Sequence, residues 1–174
     1  MRKLIFGINL TVDGCCDHTK GKGSDEVHEY FAQLLRQVDT LLYGRKTYEL
    51  MVPFWPDLAK DHSGGTKAIN DFADAFASID NMVVCSRSLD RIEGKNTSII
   101  RGKLEEEVRK LKKQAGGNIS TGGVDIPSQL IALGLVDEFH IVVQPIVAGA
   151  GRRFLDTTNL QESLQLKLVE SKVF

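Results

Sequence analysis

Leu41-Leu42-Tyr43-Gly44-Arg45-Lys46-Thr47-Tyr48-Glu49 is the stretch that decides the fold of this chain. Its apolar start is typical of the end of a buried strand, Gly44 ends that strand, and Arg45, Lys46 and Thr47 lead into a short helix. The first N–H groups of a helix lack backbone partners and carry partial positive charge, so such a turn can bind an anion. Arg45 and Lys46 add two cations and Thr47 adds a hydroxyl, which favours phosphate. A plain turn with solvated basic residues is the alternative.

A second turn of the same kind occurs at Ile119-Ser120-Thr121-Gly122-Gly123-Val124-Asp125. Its glycine pair allows a backbone to approach a ligand closely. Two such turns indicate one extended ligand with several phosphates, such as a dinucleotide. The chain has no G-x-G-x-x-G after a strand, so this is not the Rossmann fingerprint.

Composition limits the possible functions. The 174 residues suit one domain spanning 1–174, and 42% apolar with 26% charged residues is enough to build a core. A net charge of −1 without a basic block argues against a nucleic-acid partner. We find no apolar run long enough for a membrane span. Cys15, Cys16 and Cys85 form no C-x-x-C pattern, so we predict no metal site and a reducing cytoplasm.

Strands and helices alternate along most of the chain, and a strand alone closes it. The patterns predict strands over 3–10, 40–43, 81–85, 97–100, 118–121 and 138–144, and helices over 24–37, 47–51, 66–76, 104–114 and 127–133. Pro53 and Pro56 predict the end of a helix and leave Trp55 on a loop. Strict alternation over 164–169 predicts an outer antiparallel strand. The predicted fold is therefore α/β, with a mostly parallel central sheet flanked by helices and antiparallel edge strands at the C-terminal end.

A third polar cluster, Ser86-Arg87-Ser88, also follows an apolar strand. In open α/β sheets, ligands bind at the carboxyl ends of the strands. We predict that the two glycine-containing turns hold a pyrophosphate. Ser86 and Arg87 would hold a further phosphate, such as the ribose 2′-phosphate that distinguishes NADP from NAD, because the guanidinium matches phosphate oxygens. A surface arginine after a strand is the alternative.

These motifs resemble a known superfamily. The first turn resembles the G-R-K-T-[WF]-E stretch of dihydrofolate reductases, and Val84-Cys85-Ser86-Arg87-Ser88-Leu89 resembles their V-x-S-R-x-L stretch. The second half is more similar to the C-terminal reductase domain of the bifunctional riboflavin-biosynthesis deaminase/reductase. That domain runs I-x-x-x-G-G, G-L-V-D-E and P-x-x-x-G-x-G-x-x-F, and this chain carries these patterns beginning at Ile119, Gly134 and Pro145.

The resemblance implies a dihydrofolate reductase-like fold, NADPH as hydride donor, a pyrimidine- or pteridine-like small-molecule substrate and a homodimer. It places Asn9, Asp13 and Gly14 beside the nicotinamide and the substrate. The residues it implies for the cofactor site, together with the neighbours of the glycine pair, are Gly44, Arg45, Lys46, Thr47, Ser86, Arg87, Thr121, Gly122, Gly123 and Val124.

The chain departs from these families in three places. The P-W-x-x-P-x-D block of dihydrofolate reductases is absent, which leaves Asp25, Glu26 and Glu29 as candidates for the acid that binds the pterin. Residues 48–57 replace the threonine-rich segment that holds the ribose phosphate in riboflavin-pathway reductases. The fold usually continues into a last edge strand, whereas this sequence ends at Phe174.

Hydride transfer needs orientation and a proton source from the protein. Asp13 is the candidate that relays the proton through water, and a turn aspartate before glycine is the alternative. Trp55 is a candidate for stacking on the substrate ring, with plain packing as the alternative. The sequence thus predicts an NADPH-dependent reductase resembling 5-amino-6-(5-phosphoribosylamino)uracil reductase. The alternatives are a dihydrofolate reductase or a non-catalytic NADP-binding protein.

Overall fold

The structure, a computed structural model, describes residues 1–21, 23–94, 96–155, 160 and 162–174. Strands and helices follow one another in a regular order within these ranges. The elements are β1 (Leu4–Thr11), α1 (Asp25–Leu35), β2 (Val38–Gly44), α2 (Arg45–Met51), α3 (Phe54–Asp61), α4 (Lys67–Ala77), β3 (Asn81–Cys85), β4 (Thr97–Ile100), α5 (Leu104–Lys113), β5 (Asn118–Thr121), α6 (Asp125–Ala132) and β6 (Glu138–Gln144). No helix of the described residues is both long and apolar enough to cross a membrane.

The six strands form one sheet in the order β4-β3-β2-β5-β1-β6, and every neighbouring pair is parallel. β1 lies inside the sheet, where Ile5 pairs with Ser120 of β5 and with Glu138 of β6. Its continuous apolar sequence follows from burial on both faces, and Leu4 and Phe6 are almost fully buried. The predicted α/β class with a parallel sheet is confirmed.

Two hydrophobic layers cover the sheet. On one face, α1 and α4 bury Leu35 and Phe76 against Leu41 and other sheet residues. On the other face, α5 and α6 bury Val108 and Leu130 against their own set of sheet side chains. Both faces of a parallel sheet must be covered in this way, because each crossover helix lies on one of them.

The prediction of antiparallel edge strands at the C-terminal end is wrong. Residues 162–174 form no strand, and β6 is the outermost strand of a sheet that is parallel throughout the described residues. The alternating side chains of this segment, such as Leu166 and Leu168, are exposed. Alternation predicts that a strand has two different faces, but a strand forms only where a neighbour completes its hydrogen bonds.

The loop predicted around Trp55 is also wrong, because residues 54–61 form helix α3. Pro53 caps this helix and Pro56 lies in its first turn. Proline is tolerated there, since the first N–H groups of a helix have no partner in any case. The two prolines therefore mark the beginning of a helix as well as the end of the preceding one.

A buried arginine joins three strands at the end of the sheet where they begin. Arg2 forms an ion pair with Asp39, and its Nη2 donates to Thr40 Oγ1 over 2.6 Å. Its Nε donates to the carbonyl of Gly117 over 2.5 Å. Charge-assisted hydrogen bonds of this kind fix β1, β2 and β5 together at their amino ends. Their carboxyl ends are consequently held side by side at the opposite edge.

Candidate functional site

A cavity of about 690 Å³ opens at the carboxyl ends of β1, β2 and β5. Residues 7–11 of β1 line its floor together with residues 120–124, which comprise the end of β5 and the turn after it. Tyr43 and Lys46 line it from the side of β2 and α2. The loop over 15–18 and the inner face of α1 complete the wall. The volume suits a ligand of the size of a cofactor with a small substrate.

The two glycine-containing turns meet in this cavity. Gly123 has a φ of 85°, a left-handed conformation that side chains disfavour. A Cβ atom at Gly123 would also lie 2.3 Å from Thr47 Oγ1, so the two turns touch only because a glycine is present. Lys46, Thr47, Thr121, Gly122, Gly123 and Val124 all line the cavity. The Thr121 hydroxyl is buried and donates to the carbonyl of Leu42 over 2.7 Å, which ties the end of β5 to β2 just before the glycine pair.

Four predicted cofactor residues lie outside the lining of this cavity. Gly44 is the N-cap of α2, and the Arg45 guanidinium is 3.3 Å from the Glu49 carboxylate. Ser86 Oγ accepts hydrogen bonds from the backbone N–H groups of the two residues after Arg87. Arg87 itself is exposed just after the end of β3, and β3 is the neighbour of β2 in the sheet. Ser86 therefore shapes a turn that presents Arg87 beyond the cavity.

An aromatic wall faces the glycine turns. Trp55 of α3 and Phe72 of α4 pack edge to face with ring centroids 4.5 Å apart, and both line the cavity together with Phe31 of α1. Trp55 Nε1 donates to Met51 Sδ over 3.3 Å, which fixes the indole ring. The tryptophan thus packs on the protein and also lines the cavity. Its predicted stacking on a substrate ring stays a prediction.

The predicted substrate residues divide into two groups. Asn9 and Trp55 line the cavity, whereas Asp13 and Gly14 lie in the turn after β1, outside its lining. Gly14 adopts a φ of 77° and its carbonyl accepts from the backbone N–H of Phe154. This turn is therefore attached to the loop that follows β6.

Asp13 is held by four groups. Its carboxylate accepts from Thr11 Oγ1 over 2.6 Å and from the backbone N–H groups of Ala148 and Gly149 over 3.0 and 2.9 Å. Arg153 lies 2.9 Å away. The Thr11 hydroxyl, the Ala148 N–H and the Arg153 guanidinium hold the pKa of Asp13 well below its usual range. A permanently ionised carboxylate with occupied oxygens is a poor proton relay, so these contacts favour a structural role.

Several cavity residues were not predicted from the sequence. Tyr43 lines the cavity, and burial raises the pKa of its phenol, which keeps it a neutral hydrogen-bond donor. His28 Nδ1 donates to the carbonyl of Ser24 over 2.8 Å. Gln144 and Arg152 line the side next to β6. The rule that places ligands at the carboxyl ends of strands points to Gln144, the last residue of β6, once its strand is known to be parallel.

The candidate acids of α1 point elsewhere. Asp25 accepts from Thr66 Oγ1 over 2.8 Å, and neither Glu26 nor Glu29 lines the cavity. The α1 residues that do line it are apolar or histidine. Within the described ranges we find no group of three His, Cys, Asp or Glu side chains that could hold a metal ion.

Solved structures define the class of this domain as a dihydrofolate reductase-like fold. A riboflavin biosynthesis protein from Shewanella sp. PV-4 aligns with a TM-score of 0.70 and 20% identity over 99% of this chain and 92% of its own. The deaminase/5-amino-6-(5-phosphoribosylamino)uracil reductase of Thermotoga maritima aligns with a TM-score of 0.65 and 14% identity, over 97% of this chain and 52% of its own. Dihydrofolate reductase of Enterococcus faecalis, in complex with NADP(H), aligns with a TM-score of 0.58 and 15% identity, over 90% of this chain and 79% of its own.

The chain belongs to the RibD C-terminal domain family, whose sequence profile matches residues 2–174. This membership confirms the resemblance drawn from the motifs of the second half. Among sequence relatives, the Bacillus subtilis protein YyaP is 30% identical over 184 residues, which cover 99% of this chain and 89% of YyaP.

The first prediction concerns the role of Asp13. We expect Asp13→Asn to lower the melting temperature at pH 7, because the variant loses an ionised acceptor for three donors and a guanidinium. The folded-state pKa is depressed, so the stabilisation is present above the ordinary value of 3.8 and is lost as pH falls through the folded-state pKa. The difference in melting temperature between Asp13→Asn and the wild type should therefore become smaller in acid. Calorimetry at several pH values measures it, with exposed Asp80→Asn as control. Unchanged melting with lost NADPH oxidation would favour the proton relay.

Proposed function

We propose that this protein is an NADPH-dependent reductase of a pyrimidine- or pteridine-like ring, of the type that reduces 5-amino-6-(5-phosphoribosylamino)uracil in riboflavin biosynthesis. The observation that carries the proposal is one cavity with two unlike walls. A glycine pair and Lys46 form the polar wall, and Phe31, Trp55 and Phe72 form the aromatic wall. Family membership supports a reductase. The uracil reductase activity named for the Thermotoga neighbour and the NADP(H) bound to the Enterococcus neighbour support the ligands.

The polar wall fits a pyrophosphate. A Cβ at Gly122 would make only ordinary contacts, 3.6 Å from the carbonyl of Gly7 and from Tyr43 Cε1, so the protein itself does not fill the space that the glycine leaves beside the cavity. Lys46 places a cation on the same wall, and Thr47 a hydroxyl. Bound NADPH would supply the hydride. Backbone N–H groups of the 122–124 turn would hold its pyrophosphate, and Arg87 would contact the ribose phosphate beyond the cavity.

The aromatic wall fits a flat ring. Phe31 and Trp55 offer faces and edges of aromatic rings, which pack well against another planar system. Their apolar surface excludes water from the reacting atoms, which strengthens the polar interactions that remain. Tyr43 adds a neutral donor between the two walls. The protein thus orients two planar ligands, and the cofactor performs the chemistry.

A dihydrofolate reductase is a weaker interpretation of this site. Binding of a pterin by a helix acid requires a carboxylate on α1 that faces the ligand, and Asp25, Glu26 and Glu29 do not line the cavity. Asp17 is the only acidic residue among the described residues that line the cavity, and its carboxylate accepts from the N–H and hydroxyl of Thr19. Oxidation of NADPH with pyrimidine, pterin and quinone substrates separates the reductases from a non-catalytic binding protein, which would bind NADPH without turnover.

A homodimer is part of the proposal. β6 is an outer strand whose Ile141 and Val143 are exposed, and the 162–174 segment exposes a row of leucines. An apolar sheet edge and an unpaired extended segment invite pairing with another chain. Two-fold dimers are the commonest closed assembly. We therefore place the dimer interface on β6 and the C-terminal segment.

The glycine wall is tested by Gly122→Val. We expect this variant to lose NADPH binding and keep the melting temperature within a few degrees, because the new side chain would stand between the ligand and the backbone. Fluorescence titration with NADPH measures the loss. Gly102→Val is the matched control, because a Cβ at Gly102 meets no atom within 4 Å. Unchanged NADPH affinity in Gly122→Val would show that the glycine pair is only a turn.

Cofactor choice is tested at Arg87. The wild type should bind NADPH more tightly than NADH, and Arg87→Ala should shrink that difference by roughly 10- to 100-fold, the value of a charge-assisted hydrogen bond. Arg109→Ala on α5 is the control, since its guanidinium pairs with Glu105. Equal affinity of the wild type for both cofactors would contradict this assignment.

Sedimentation at micromolar concentration tests the assembly. We expect twice the chain mass of 19.3 kDa, and we expect Val143→Lys to yield monomers because a charge at the β6 edge would be buried without a partner. Phe54→Lys, which changes an exposed residue of α3, is the control. A wild-type monomer would refute the dimer, and a Val143→Lys dimer would refute this interface.

A further inference from the structure

Gln144 carries a buried carboxamide that the protein leaves partly unsatisfied. It is the last residue of β6, is 8% exposed and lines the cavity beside β1. No described residue donates a hydrogen bond to its Oε1. Burying an amide oxygen without a donor destabilises a protein. A polar group in this state at the wall of a binding cavity therefore points to a donor that arrives with the ligand.

The loop over 15–21 lies against the carboxamide. A Cβ at Gly21 would lie 2.6 Å from Gln144 Oε1 and 3.1 Å from both Cδ and Nε2, so this loop passes close over the amide only because residue 21 is a glycine. The neighbouring polar groups are engaged elsewhere. Cys16 Sγ donates to the carbonyl of Arg152 over 3.3 Å, and the Asp17 carboxylate accepts from Thr19.

The chemistry of a carboxamide limits the ligand it can recognise. It presents one acceptor and one donor side by side. The complementary edge is a lactam, in which a ring N–H stands next to a ring carbonyl and forms two parallel hydrogen bonds with the amide. This match holds whichever of the two amide positions is oxygen and whichever is nitrogen. Pyrimidinone and pteridinone rings carry such an edge.

We propose that Gln144 is a specificity-determining residue that binds the lactam edge of the ring substrate. The inference rests on the proposed function, since it assumes that the cofactor occupies the glycine wall and leaves the β6 side to the substrate. Polar groups placed in this way discriminate strongly, because a ligand that lacks the partner leaves the buried amide unpaired.

Calorimetric titration of the NADP⁺-saturated protein tests the proposal with two probes, 5,6-diaminouracil and its 1,3-dimethyl derivative, whose lactam N–H groups are blocked. The wild type should prefer the unblocked ring by roughly tenfold to a hundredfold, the value of two hydrogen bonds. Gln144→Leu should abolish this preference. Gly21→Ala, which keeps the carboxamide but displaces it, should reduce it.

The melting temperature of the free protein supplies a second readout. Gln144→Leu removes an unpaired buried oxygen at nearly the same volume, so it should melt at or above the wild-type temperature, whereas loss of a merely structural glutamine would lower it. Ser128→Ala is the matched control, because Ser128 Oγ is also buried without a partner among the described residues but does not line the cavity. It should leave the preference between the probes unchanged.

Three results would overturn the proposal. A wild type that binds both probes equally, or neither of them, would show that no lactam edge is recognised. A preference that persists in Gln144→Leu would come from the shape of the cavity. A loss of NADP⁺ affinity in Gln144→Leu would place the carboxamide on the cofactor. Affinity of the wild type for NADPH, measured separately, decides the proposed function itself, because failure there would show that the glycine wall holds no cofactor.

Discussion

The site depends on the insertion of β5 between β1 and β2. Thr121 pairs with Phe6 on one side and with Leu42 on the other, and its hydroxyl donates to the Leu42 carbonyl over 2.7 Å. A slip of one residue would turn every side chain of β5 to the other face of the sheet. The buried contacts of Arg2 fix the same three strands at their amino ends. The register therefore determines where Gly122 emerges, between the ends of β1 and β2, which also line the cavity.

The same register explains why the two walls of the cavity differ. Loops that leave the carboxyl ends of parallel strands bring backbone N–H groups together, and the Gly123 conformation lets one such loop touch Thr47. Helices α1, α3 and α4 cover the sheet beside them and must present apolar side chains, so Phe31 and Phe72 extend the hydrophobic layer up to the cavity. A polar cradle and an aromatic wall thus follow from ordinary packing of a parallel sheet, and they are the surfaces that a dinucleotide and a flat ring require.

Sequence patterns predicted those parts of the fold that local rules control. The continuous apolarity of β1 indicates burial on both faces, and the glycine pair after β5 indicates a turn, so the sequence predicts both this strand and this turn. The prediction of a loop at Trp55 is wrong because proline is ambiguous between the end of one helix and the first turn of the next. The alternating 164–169 segment predicts an antiparallel strand that does not form, because periodicity carries no information about the neighbour of a strand. The structural role of Asp13 is hidden in the sequence, because its partner Arg153 lies 140 residues further along the chain.

Gln144 shows most clearly what only the fold can reveal. In the sequence it is one polar residue before a proline, and its neighbour Val143 is more hydrophobic. The burial of β6 alternates so that Val143 faces outward and Gln144 inward, which reverses the arrangement expected from hydrophobicity alone. A leucine at this position would satisfy the packing of the sheet without leaving an unpaired oxygen. Ser128 raises the same energetic question inside α6 but faces no cavity. The two residues differ in where they lie. Gln144 lies at the carboxyl end of a parallel strand, beside the cavity, so a ligand there can supply the hydrogen bond that its amide lacks.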